Sequence, residues 1–284
     1  MFARLDTDEF LACLERWVRH LNRSLKDQGI ALDGKTLRHS FDTASGQAAL
    51  HVVSAWAGDL RLCLGQVAVD DQSNEITAVP KLLELLELTG AVVTLDAMHC
   101  QTQTARAIRA RGADDVLTVK GHQRTLRDTI QNLFVGSGER DDRVPGLRRL
   151  VTTEQGHGRF ERREDYVAPA PSELRETGAW ADLATIGMVD RHRQLRTKET
   201  DEVVFFISSL PPAVRKLAKP RRGHWGIENS LPWVLDVTLT EDASRIRQGN
   251  APEIASIFRR LALSILQQDT SLKSSLRGKR LQAG

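Results

Sequence analysis

The chain has 284 residues, 40% of them apolar and 27% charged, which excludes disordered, collagen-like and small disulfide-stapled classes. Its 40 Lys/Arg and 37 Asp/Glu leave a net charge of +3. The stretch 212–284 alone holds 13 basic and 6 acidic residues, a net of +7, which suits either a polyanion partner or a solvated Arg-rich helix. In chain order, Phe10, Leu11, Leu14, Trp17, Val18 and Leu21 recur at helical spacing and predict an amphipathic helix over 8–26 whose apolar face needs a partner. Residues 30–35 predict a short buried strand ending at a turn, with Asp33 at its end. Strands over 48–56 and 60–69, joined at Gly58-Asp59, complete a predicted antiparallel meander. A leucine-rich helix over 80–88 follows, with Pro80 in its first turn and Gly90 as its terminator.

The apolar run Ala91–Leu95 predicts a strand ending at Asp96. A helix over 102–111, closed by Gly112, and a strand over 115–120 come next. Apolar strands alternating with helices imply a parallel sheet covered on both faces, and a meander followed by such units is the layout of a ribonuclease-H-like α/β core. Residues 149–210 read as strands at 149–153, 158–167, 183–190 and 202–208, a β-rich insertion with Pro169 and Pro171 in a loop. Helical spacing returns from Arg215, an amphipathic helix spans 251–266 with Pro252 in its first turn, and the last dozen residues are expected to fray. The domain reading is therefore 1–28, the end of a helical region; 29–148, the first part of the core; 149–210, the insertion; and 211–284, a helix bearing Glu228 and a C-terminal helix.

Cys13, Cys63 and Cys100 are widely spaced with no CxxC pair, so a reducing cytoplasm is the expected compartment. The N-terminal residues do not resemble a secretory signal. The strongest apolar runs, such as Val203–Ile207, fall far short of the roughly 20 residues a membrane span needs.

Asp33, Asp96 and Glu228 stand out by position. The first and fourth strands of a ribonuclease-H-like sheet are neighbours, so Asp33 and Asp96 are expected side by side. Adjacent carboxylates repel unless a cation lies between them, and hard oxygen ligands suit Mg²⁺ or Mn²⁺. A third carboxylate from a helix would complete a two-metal site for in-line phosphoryl displacement. Taken singly, each has a plainer reading: Asp33-Gly34 as a turn dipeptide, Asp96 as a helix cap.

The surrounding text resembles a family. LDGKTLRHS around Asp33, VDDQSNEI before the leucine-rich helix, VVTLDAMHCQ around Asp96, VLTVKGHQ, and RGHWGIENSLPWVLDVTLTEDASRIR around Glu228 are similar to bacterial insertion-sequence transposases of the ISAs type, the H-repeat-associated proteins of the DDE superfamily. The resemblance runs from about residue 5 to about residue 266. It implies a ribonuclease-H-like core with a strand-rich insertion before the last acid, the acidic triad Asp33, Asp96 and Glu228, and two Mg²⁺ or Mn²⁺ ions held by it.

Other residues carry over less firmly. Lys120 could reach a phosphate or be an exposed strand-end lysine. His99 and Gln101 are expected to border the acidic pocket, and His99 with Cys100 lacks the second pair a zinc site needs. His224 shares a helix face with Glu228 and is read as facing DNA; Asp236, eight residues past Glu228, shares that face too. Arg245 and Arg247 are candidate phosphate contacts. Glycine-rich nucleotide loops are absent, so ATP use is not implied.

The reading is a metal-dependent DNA transposase that cleaves and joins strands at element ends. Its partners would be double-stranded DNA of the ends and target, with a homodimer on DNA as one possible assembly, and it would be nucleoid-associated when bound. The rival is a shortened, catalytically inactive remnant that only binds DNA, and a simple nuclease is a third option. Two departures from the family pattern motivate the rival: the chain opens with only the end of the family's N-terminal helical region, and Pro232 stands where a histidine is expected. An interior proline removes a hydrogen bond and clashes with the carbonyl four residues back, here Glu228, so a kinked or broken helix is expected between 228 and 232.

Overall fold

The computed structural model describes residues 2–20, 24–44, 46–70, 74–135, 144–156 and 158–283, with the side chains of 135 and 225–230 outside that description. The fold class is the expected α/β one, with both parallel and antiparallel strand pairs, flanking helices and a β-rich insertion. The chain forms two compact units, one of residues 1–91 and 223–284, the other of residues 92–222.

In the first unit, helix α1 (Thr7–His20) starts where Asp6 Oδ1 accepts the Glu9 N–H at 2.9 Å. Asp8 and Glu9 in its first turn and Arg19 and His20 in its last suit the helix dipole. The expected helix over 8–26 is thus shorter, ending at His20, with 21–23 outside the described residues. Its apolar face does find a partner. Leu14 packs with Ile254 and Ile257 of α7 (Ala251–Gln268), with Phe10, Leu11, Trp17 and Val18 around them.

The expected meander is present as β1 (Gly29–Thr36), β2 (His51–Ala57) and β3 (Leu62–Ala68), in the order β3-β2-β1 and antiparallel throughout. The β2–β3 turn is at Gly58-Asp59, as expected, with Arg61 N–H bonded to the Gly58 carbonyl.

Helix α2 (Glu75–Leu85) corrects the expected start. Asn74 caps it, accepting the Ile76 N–H, so Pro80 lies inside the helix. The cap at Asn74 overrides the proline as the start signal, because a side-chain acceptor satisfies an orphan N–H that Pro80 merely lacks. The helix also ends at Leu85, well before Gly90, whose positive φ of 77° serves the turn leading to residue 91. The expected frayed tail is instead a helix, α8 (Leu276–Ala283), whose Lys279 Nζ donates to the Leu266 carbonyl at 3.1 Å.

In the second unit, β4 (Val92–Leu95) and β5 (Asp114–Val119) pair in parallel, linked by α3 (Thr102–Ala110). All four residues of β4 are buried, the reason its sequence is an unbroken apolar run. Helix α4 (Arg124–Val135) follows β5. Its Leu126, Ile130 and Phe134, buried and four residues apart, form an amphipathic stripe.

The four strands of the insertion, β6 (Arg148–Gly156), β7 (Arg159–Pro169), β8 (Thr185–Leu195) and β9 (Glu199–Ser208), do not form a sheet of their own. They extend β5 in the order β5-β9-β8-β7-β6, all antiparallel. A short helix, α5 (Ser172–Glu176), lies between β7 and β8. The last five residues of β9 are buried and the first five exposed, so the sheet is apolar near β5 and charged at its far end. Gly187 faces Phe206 across β8 and β9, where a Cβ on the glycine would come within 2.1 Å of the ring. The Arg221 guanidinium lies 4.1 Å from the centroid of that ring and pairs with buried Asp165 at 3.0 Å.

Helix α6 (Val214–Trp233) contributes its first nine residues to this second unit and its remainder to the first. The expected break between 228 and 232 is not found. The backbone is helical without interruption through Pro232 and widens only afterwards, into a π turn at Val234–Thr238. The departure from α geometry therefore falls C-terminal to Pro232 rather than on the turn of Glu228. No helix among the described residues is long and apolar enough to cross a membrane.

Candidate active site

Asp33 lies within β1, three residues before its end at Thr36, so the expected strand end is corrected. The strand continues because Gly34, Lys35 and Thr36 all stay in register with β2, opposite Val53, Val52 and His51. Side chains alternate along a strand, so Ala31, Asp33 and Lys35 share one face. Ala31, with Trp56 opposite it and Cys63 beyond, packs against Leu231 of α6 and Leu235 of the π turn. Lys35 Nζ lies 2.8 Å from Asp236 and 3.1 Å from Asp242. Asp33 is thus bracketed on β1 by two contacts that hold the end of α6 and the segment after it to this face.

Across the sheet from Asp33 come Ser54 and then Gln66. Arg260 of α7 donates from Nε to Ser54 Oγ at 2.9 Å and from its guanidinium to Glu241 Oε1 at 2.8 Å. Ser256 joins both partners. Side-chain exposure is 2% for Arg260 and 0% for Glu241, so a closed ion pair lies beside the row that contains Asp33.

The other face of β1 is occupied at Gly34 by Glu75, the first residue of α2. A Cβ on Gly34 would stand 2.3 Å from the Glu75 carboxylate. His51 fixes that carboxylate, its Nε2 2.6 Å from Glu75 Oε1 and its Nδ1 2.7 Å from Thr36 Oγ1.

Glu228 lies on the α6 backbone, and its side chain lies outside the described residues. It precedes Leu231 and Leu235 by three and seven residues, the spacing of one helix face. Asp96 belongs to the second unit. It follows Leu95 directly, as expected, and stands at the N-cap of a short 3₁₀ turn. Asp33 and Asp96 are both half-buried. Nearby, burial pushes the Cys100 thiol up to about 12, with the Asp115 charge adding to the effect. His99 is buried and Gln101 half-buried.

The expected DNA contacts divide between the units. Lys120 is exposed at the end of β5, in the second unit, where it lines a cavity of about 370 Å³ with Arg127, Gln131 and Val203. Arg245 is exposed in the first unit. Arg247 stacks 4.6 Å over Phe41 and donates to the His39 carbonyl, beside the end of β1. His224, expected to face DNA, is only 5% exposed. The net of +7 also overstates the free cationic surface. Arg221 and Arg260 are spent on buried carboxylates, Arg222 pairs with Glu154, and Arg280 donates to the Thr238 carbonyl.

Residues 24–265 match the transposase DDE domain family. The chain belongs to that family. The transposase is 37% identical over 284 residues to the protein named "H repeat-associated putative transposase YhhI" of Escherichia coli (strain K12), covering 97% of this chain and 73% of that one. The same identity and coverage hold for YbfL of that strain. For YncI of Escherichia coli O157:H7 identity is 36% over 285 residues, covering 98% and 72%. Among solved structures, a piggyBac transposase synaptic complex with hairpin DNA matches at 9% identity and a TM-score of 0.46, covering 89% of this chain and 50% of that one.

Sequence reasoning gave no role in this transposase to Lys35, Glu75, Glu241 or Arg260, although all but Arg260 lie inside the quoted strings. A charged residue within an otherwise apolar strand or helix face, as Lys35 and Arg260 are, was the available signal for a paired buried charge.

Proposed function

We propose that this transposase cuts and joins DNA strands at the ends of its element, with Asp33, Asp96 and Glu228 as ligands to two divalent cations, Mg²⁺ or Mn²⁺. One observation carries the reading: Leu231 of α6 and Leu235 of the π turn that follows it pack on the face of β1 that holds Asp33, which is the arrangement a shared carboxylate site on a strand and a helix requires. The donor set suits hard cations, since Asp33 and Asp96 are half-buried carboxylates. Such ions would supply stabilisation of the attacking and leaving oxygens. The chain's own part is to hold the carboxylates, with Ser54, Arg260 and Glu241 keeping the neighbouring strand rigid. Water and then a 3′-hydroxyl would serve as nucleophiles.

The α6 backbone is helical through Pro232, so no break separates the turn of Glu228 from the residues that follow it. Double-stranded DNA is the proposed partner, its backbone met by Arg245 and Arg247 of the first unit and by Lys120 of the second; Arg38 of the first unit, whose side chain is 79% exposed, follows the end of β1. His224 is left out of that set because it is buried. The domain reading retained is a core interrupted by an insertion over 149–210, and the proposed setting is the cytoplasm and nucleoid.

The test is cleavage of an oligonucleotide duplex carrying the element's terminal sequence, with and without Mg²⁺. Asp33→Asn, Asp96→Asn and Glu228→Gln are each expected to reduce cleavage at least about 100-fold. Full activity in any of the three removes that residue from the site, and Mg²⁺-independent cleavage refutes the reading.

A further inference from the structure

The strand that carries Asp33 is tied to the end of the helix that carries Glu228 through a lysine two residues further on. Lys35 is 12% exposed at its side chain. Its Nζ lies 2.8 and 2.9 Å from the two carboxylate oxygens of Asp236 and 3.1 Å from Oδ1 of Asp242. Asp236 is in the π turn that ends α6, and Asp242 follows four residues after that turn. Arg38 approaches Asp242 at 3.4 Å, and His39 Nδ1 meets the Asp242 carbonyl at 2.5 Å.

A π turn replaces i→i+4 hydrogen bonds with wider ones; here the Leu239 N–H reaches the Val234 carbonyl at 3.2 Å. The turn alone is therefore a soft joint. The apolar contact of Ala31 and Trp56 with Leu231 and Leu235 is non-directional and tolerates sliding along the helix axis. A charged hydrogen bond to one named carboxylate does not.

We propose that Lys35 is a positioning residue, locking the end of α6 onto β1 at the register that sets the spacing of Asp33 and Glu228 for a divalent cation. The inference rests on the metal-site reading above. Metal ligands must be held to within about half an ångström, and the lock supplies that constraint from the side of Asp33 opposite the apolar contact. Two effects of removing the lysine have opposite signs. By Coulomb's law alone, deleting a positive charge beside a cation site tightens cation binding. Loss of positioning weakens it.

The experiment is Mn²⁺ binding to the full chain without DNA, read from the electron paramagnetic resonance signal of the free ion, with thermal melting alongside. The variants are Lys35→Met, Lys35→Arg, the charge-neutral pair Lys35→Met with Asp242→Asn, and Asp33→Asn. Lys35→Met is expected to weaken Mn²⁺ binding about 10–100-fold, the range for residues that orient metal ligands. Lys35→Arg, which keeps the charged donor, should recover most of that loss. The charge-neutral pair should melt close to the wild type yet remain about 10-fold weak, and its result decides the matter if Lys35→Met alone is too unstable to assay. Binding by Lys35→Met or by the pair as tight as the wild type, or tighter, overturns the lock while leaving the metal site standing. Wild-type binding that Asp33→Asn does not reduce overturns the metal site, and the lock with it.

Discussion

Arg260→Met tests how the row beside Asp33 is held. The substitution keeps much of the volume and removes the guanidinium that serves Ser54 at 2.9 Å and Glu241 at 2.8 Å. The Glu241 side chain has no solvent exposure, so its charge cannot turn to water. Breaking a buried pair on one side costs about 3–5 kcal/mol. For a cooperative unit of this size each kcal/mol moves the melting point by about 2–4 °C, so a drop of roughly 6–20 °C is expected. Removing both charges, with Glu241→Leu added, should restore at least half of the loss, because a buried pair replaced by apolar side chains is often neutral. The assay is urea unfolding of wild type, both single variants and the double variant, which isolates the coupling between the two sites. A loss below about 1 kcal/mol for Arg260→Met, or a double variant no more stable than the single, would refute the claim that Glu241 depends on this guanidinium.

Three further outcomes follow from the same geometry. Gly34→Ala should cost about 1–3 kcal/mol through overpacking against Glu75, and Glu75→Ala in the same chain should recover most of it; a Gly34→Ala variant of wild-type stability contradicts the close approach. Burial holds the Asp115 carboxyl up at about 7, against an unfolded value near 3.8, so the folded state binds the extra proton, and this group's contribution to stability is lost as pH rises from about 4 to about 7. Asp115→Asn should therefore stabilise the protein more at pH 8 than at pH 4, as measured by urea unfolding at the two values, and an equal effect at both would rule this out. Finally, burial raises the thiols of Cys63 to about 11 and Cys100 to about 12, while Cys13 is exposed. A thiol reagent at pH 7.5 should label one cysteine in the folded chain and three after denaturation.

The strands of the core were legible because burial on both faces leaves a distinct trace: β4 reads as an unbroken apolar run, and the meander reads from its turn at Gly58-Asp59. Boundaries were less legible where one signal masked another, as Pro80 masked the cap at Asn74. Asp33 was misplaced at a strand end because polar residues following an apolar run look like a turn, whereas Gly34, Lys35 and Thr36 are kept in the strand by pairing with β2. The continuity of α6 through Pro232 was not legible either, since local clash arguments ignore the packing of Leu231 and Leu235 on β1. The charged networks were the least visible. Lys35 meets Asp236 and Asp242 across about 200 residues of chain, and a net charge summed over a segment cannot tell a surface arginine from Arg260.

The most direct test of the central claim is anomalous diffraction from crystals of the full chain soaked in Mn²⁺. The account predicts two peaks about 3.5–4 Å apart, liganded by Asp33, Asp96 and Glu228. Carboxylates of Asp33 and Asp96 more than about 10 Å apart, too far for ions at that spacing, or Mn²⁺ bound only elsewhere, would contradict it.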